Sequence, residues 1–143
     1  MSASTRLPLP LLPRWARYVA AGLVFTAVTA GSVTGNVPQP PPGGFGEFWD
    51  KYLHFAAYAG LALALAYATA HWRDQPYRRA AIVFGVAVCY GLLMEFVQGP
   101  LPNRYFSLAD ALANALGASL VVVWFLVERR IRYRRIWPSG DPE

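Results

Sequence analysis

Four stretches almost free of formal charge divide this chain: residues 18–46, 52–72, 80–94 and 111–127. A helix needs about 20 apolar residues to cross ~30 Å of hydrocarbon at ~1.5 Å per residue. The first two stretches reach that length and the last two fall slightly short. The 143 residues are 55% hydrophobic and 15% charged, against about 25% charged in a soluble average. The pattern predicts an all-α fold, a four-helix transmembrane bundle, with helices over residues 15–34, 48–72, 79–97 and 107–128. Around it lie a short proline-broken lead, residues 1–14, and a basic tail, residues 129–143. The transmembrane domain itself covers residues 15–128.

Charge sets the orientation. With the N-terminus in the cytoplasm, only Lys51 and Arg104 of the 13 Lys and Arg residues fall outside, the asymmetry of the positive-inside rule. Both termini are then cytoplasmic, in a multi-pass protein of the cell membrane. The arginines of residues 129–135 suit an anionic lipid surface, and the net charge of +5 needs no nucleic acid partner. Val28-Thr29-Ala30 resembles a leader cleavage site; either reading of helix 1 leaves the following segment outside. Residues 35–46, with four prolines between Pro38 and Pro42 and glycines after them, cannot be helix and favour an extended path. The single Cys89 excludes an internal disulfide and any CxxC metal knuckle, and its mid-span place predicts a small buried apolar residue.

Lipid offers no hydrophobic drive between helices, so small residues mark contact faces. Ala56, Gly60, Ala64 and Ala68 form such a stripe on helix 2. Ala81 and Gly85 on helix 3, and Ala109, Ala113 and Gly117 on helix 4, are their counterparts. His54 and Tyr58 lie on a different side of helix 2, which predicts a central place for it.

The polar residues gather at one end. Asp50 and His54 open helix 2 one turn apart, with Lys51 between them and Tyr58 a turn further in. Glu95 and Gln98 share a face where helix 3 closes. Arg104 is in the next turn, Ser107 caps helix 4, and Asp110 and Asn114 are one turn apart at its start. The third charge-free stretch spans only residues 80–94, about 22 Å of helix, so a full crossing takes Glu95 below the surface. A carboxylate facing lipid costs about 2.5–3.5 kcal/mol on insertion scales, which turns Glu95 toward the bundle interior, with Arg104 the expected partner of Glu95 or Asp110. Such a cluster is open to acid–base chemistry or to clasping a phosphate or carboxylate head through Lys51 and Arg104. Asp50 is placed to orient the His54 imidazole. The spacing matches no established metal motif, so neither metal nor cofactor is expected, and Ser107 reads as a cap rather than a nucleophile. Structural glue is the plain alternative.

Asp50-Lys51-x-x-His54-Phe55-x-x-Tyr58-x-x-Leu61 resembles the first signature of the VanZ-like membrane proteins. Tyr90-Gly91-x-x-x-Glu95-x-x-Gln98 and Arg104-x-Phe106-Ser107-x-x-Asp110-x-x-x-Asn114-x-x-Gly117 resemble the second and third. Asn103 stands where glycine is common before the arginine. The resemblance implies a four-helix membrane domain and points to Asp50, His54, Glu95, Gln98, Arg104, Asp110 and Asn114. The named member of that family is linked to teicoplanin resistance, so the resemblance implies a link to glycopeptide resistance without a mechanism. The expected function is engagement of a membrane lipid or a lipid-linked envelope headgroup. A small transporter and a non-catalytic assembly partner are the alternatives.

Overall fold

The computed structural model describes residues 7–44, 46–101 and 105–136. The chain is mostly helical: β1 (Leu7–Leu11), α1 (Arg14–Thr34), α2 (Trp49–Ala68), α3 (Pro76–Gln98), α4 (Leu108–Ser119), α5 (Val121–Glu128) and β2 (Ile131–Arg135). Single 3₁₀ turns, Gly46–Phe48 and Ala70–Trp72, lead into and out of α2. Among the described residues, three helical runs are long and apolar enough to cross a membrane: Arg14–Thr34, Pro76–Gln98 and Leu108–Glu128. The last run joins α4 and α5 through Leu120, whose carbonyl accepts from Val123 and Trp124.

Local chemistry sets the helix ends. Gly35 takes a left-handed φ of 67° and closes α1 on the Gly31 carbonyl, a position glycine fills without a Cβ penalty. The α3 helix starts a turn earlier than residue 79, because Pro76 sits at its first position, where a missing N–H is no loss. Ser107 caps α4, its Oγ accepting from the Asp110 amide at 3.2 Å, as its spacing predicts.

The central helix is α2, packed against α1, α3, α4 and α5. Below its polar first turns the shared core is dry: Ala62, Ala66, Val83, Ala87, Ala118, Val121 and Phe125. Small residues permit the closest approaches, although only part of the expected stripes is used. A Cβ at Gly117 would overlap the Phe55 carbonyl, so α4 lies directly on the α2 backbone there. At Gly91 a Cβ would come within 3.1 Å of Asn114 and Tyr58 side-chain atoms. Ala113 and Ala68 are buried, whereas Ala56, Gly60, Ala81 and Ala109 are exposed. Cys89, expected to be buried, is also exposed on α3. Outward faces are apolar, with Leu23, Leu93, Phe96, Leu112, Leu116 and Leu126 each more than half exposed.

The lead and tail meet in a parallel two-stranded pair absent from the sequence reading, with Leu7 opposite Ile131 and Leu11 opposite Arg135. Leu7 donates to the Arg130 carbonyl and Ile136 to that of Leu11. The alternation leaves Pro8 and Pro10 where no ladder donor is required. Tyr67 of α2 pins the strand, its hydroxyl donating to Pro10 at 2.9 Å and accepting from Leu12 at 3.0 Å. One end of the bundle therefore carries β1 and β2, and the opposite end carries the loops that precede α2 and follow α3.

Candidate functional site

The loop end gathers the polar residues from three helices. Helix α2 contributes Asp50, Lys51 and His54 from its first two turns, where an acid also suits the helix N-terminus. Glu95 comes from the last turn of α3, and Asp110 and Asn114 from the first turns of α4. Antiparallel neighbours bring these turns together. His54 Nδ1 lies 3.0 Å from Asn114 Oδ1 and 3.7 Å from Glu95 Oε1. The Asn114 amide donates to Glu95 Oε1 at 3.5 Å, and the Ser107 backbone N–H donates to Glu95 Oε2 at 3.2 Å. On the other ring edge, His54 Nε2 stands 3.9 Å from Asp50 Oδ1. Lys51 ion-pairs with Asp110 and with Asp50, the latter at 3.3 Å.

Burial grades across the cluster. Glu95 and Asn114 are each 1% exposed, while the Asp50 side chain is 48% exposed at the rim. The imidazole joins the two levels. Donation from Nδ1 to Asn114 Oδ1 leaves Nε2 as an acceptor facing the rim. Ser107, beside the cluster, is occupied as the α4 cap, its Oγ accepting from the Asp110 amide.

Ligand atoms of Asp50, His54 and Asp110 all lie within 4.8 Å of one another, close enough to hold a metal ion. The Lys51 ammonium already pairs with both carboxylates, so an ion there would have to displace it.

Two expected members make no hydrogen bond or ion pair to these charges among the described residues. Gln98 turns away from the charges and donates to the Ser32 carbonyl of α1 at 3.0 Å. Tyr58 is 1% exposed, a turn below His54. Arg104, the expected partner of Glu95 or Asp110, lies outside the described residues. Next to the cluster, between α1 and α2, is a cavity of about 410 Å³ whose lining includes Asp50, His54, Tyr58 and Gln98 beside Val24, Val28 and Gly60.

A second polar network, at the strand end, has no counterpart in the sequence reading. Arg79, 1% exposed, makes a bidentate pair with Glu128, at 2.7 and 3.1 Å. It also donates to Thr69 Oγ1 at 3.0 Å and to the Ala66 carbonyl, and it stacks on Phe125 at 4.8 Å. Arg17 donates to the Tyr67 and Ala68 carbonyls at the end of α2. Arg73 donates to the Glu128 and Ile131 carbonyls. Three arginines thus satisfy carbonyls that helix ends leave without partners. Tyr133 of β2 donates to Glu128, and burial together with that hydrogen bond raises its phenol pKa above the usual value. Glu128, an acid closing an apolar run amid arginines, was the available signal.

Comparison with known proteins places few limits on this site. No family model matches the chain, and no solved structure matches it. It is similar to a Schizosaccharomyces pombe protein described as uncharacterized protein C11E3.10, with 34% identity over 90 residues, 61% of this chain. The matched region spans 52% of that relative's length.

Proposed function

We propose that the chain crosses the cell membrane as a four-helix bundle with both termini in the cytoplasm. Its loop-end cluster then forms an extracytoplasmic site for the headgroup of a membrane lipid or a lipid-linked envelope molecule. One observation carries this reading: buried Glu95 is linked through Asn114 and His54 to solvent-facing Asp50, beside a largely apolar cavity. An amphipathic ligand has that same division, a polar head and an apolar body.

Three helical runs of spanning length and their exposed apolar faces support a bilayer setting. The polar start of α2 is acceptable there because α2 is surrounded by the other helices. The distribution of Lys and Arg supports the orientation. The VanZ-like motif spacing agrees with an envelope role and extends the proposal to glycopeptide resistance, tested by the teicoplanin sensitivity of cells with and without the protein. The dry core from Ala62 to Phe125 speaks against a permeation path through the bundle.

The experiment is lipid co-purification read by mass spectrometry, with reporter fusions after Leu101 and at the C-terminus. Wild type is expected to carry a defined lipid that Glu95→Ala and Arg104→Ala lose while still inserting and folding. Equal lipid content in all three proteins contradicts the site, and a cytoplasmic reporter after Leu101 contradicts the orientation.

A further inference from the structure

Small, exposed residues on α2 carry a further inference. Ala56 and Gly60 are exposed, and a Cβ at Gly60 would meet no atom within 4 Å. Close helix approach therefore does not account for them. They border instead the cavity of about 410 Å³ between α1 and α2, a volume in the ~300–1,000 Å³ range of small-molecule sites. Its α1 wall includes Val24, Ala27 and Val28, and its polar end holds Asp50 and His54. Tyr58 lines it too, one turn deeper than His54. The Tyr58 hydroxyl is buried without a hydrogen-bond partner among the described residues, an expensive state for a polar group.

We propose that this cavity holds one hydrocarbon chain of a membrane lipid, whose head presents an ammonium donor to Asp50 and His54. The inference rests on the headgroup reading of the cluster and adds where the chain lies and which heads fit. The cavity lining includes Asp50 and not Lys51, so the charged group at its mouth is a carboxylate, and a carboxylate attracts donors and repels a bare phosphate. The occupant is a lipid because the outer wall, α1, is itself long and apolar enough to lie in a bilayer, where alkyl chains are the abundant apolar partner.

The test uses the full chain in nanodiscs of phosphatidylethanolamine and phosphatidylglycerol in equal parts, with retained lipid counted by native mass spectrometry. Wild type should retain phosphatidylethanolamine in preference. Gly60→Leu, and independently Val28→Trp from the α1 side, should lower retention about tenfold or more by filling the space. Gly60→Ala should retain most of the lipid, and circular dichroism should report folded protein throughout. Wild-type retention in both filled variants overturns the chain site. If Glu95→Ala loses lipid while the filled variants keep it, the headgroup site stands and the cavity assignment falls; if none of them changes retention, both fall. Preference for phosphatidylglycerol overturns the ammonium-bearing head.

Discussion

The two ends of this bundle both bury charge, and they do so in opposite ways. At the strand end Arg79 and Glu128 meet in a bidentate pair at 2.7 and 3.1 Å, with Thr69, Ala66 and Tyr133 taking further positions. At the loop end Glu95 stands 3.7 Å from His54 and 3.5 Å from Asn114, and His54 is 3.9 Å from Asp50. Buried polar networks stabilise a fold when every member is satisfied. Around Arg79 and Glu128 the strand end meets that condition and ties α2, α3, α5 and β2 together, while Arg17 Nε beside it is left without a partner among the described residues. The loop end is looser, opens to solvent at Asp50, and adjoins a cavity. On the proposed function, the difference separates structural glue from a site kept available for a ligand.

The largest expected effect lies at the glue. Arg79→Ala leaves Glu128 buried without its counter-charge and should destabilise the protein by about 3–5 kcal/mol, measured by reversible unfolding in detergent. A loss no larger than that of a surface substitution would erase the contrast. Gly117→Ala comes next. Its Cβ meets the Phe55 carbonyl, forcing α4 away from α2, and overpacking of this kind costs about 1–3 kcal/mol, seen as a lower Tm. Gly60→Ala, on the same kind of stripe but facing open space, should leave Tm unchanged or raised. Tyr133→Phe should cost about 1 kcal/mol, one hydrogen bond to Glu128, and sharpen the comparison by showing how much β2 adds.

Much of the helical order was legible in the sequence because hydrocarbon thickness is a hard length and charge-free stretches reveal it. The meeting of Asp50, His54, Glu95, Asp110 and Asn114 was legible for a related reason: residues one turn apart share a face, and short connections bring successive helix ends together. The inward arginines were not legible. A solvated arginine and one capping a helix end occupy the same sequence positions, and only the packed ends of α2 and α5 distinguish Arg17, Arg73 and Arg79 from their neighbours. The strand pair was hidden because Pro8 and Pro10 read as breakers and their partners lie more than a hundred residues away. Gly60 and Gly117 look alike in sequence, and packing alone assigns one to a cavity and the other to a helix contact. The expected pairing of Arg104 with Glu95 or Asp110 falls outside the described residues.

The most direct measurement compares unfolding free energies of Glu95→Gln and Arg79→Gln in one detergent. With the loop end kept for a ligand and the strand end holding the fold, Glu95→Gln should stay within about 1 kcal/mol of wild type while Arg79→Gln loses about 3 kcal/mol or more. Equal losses, or the reverse order, would contradict that division of labour.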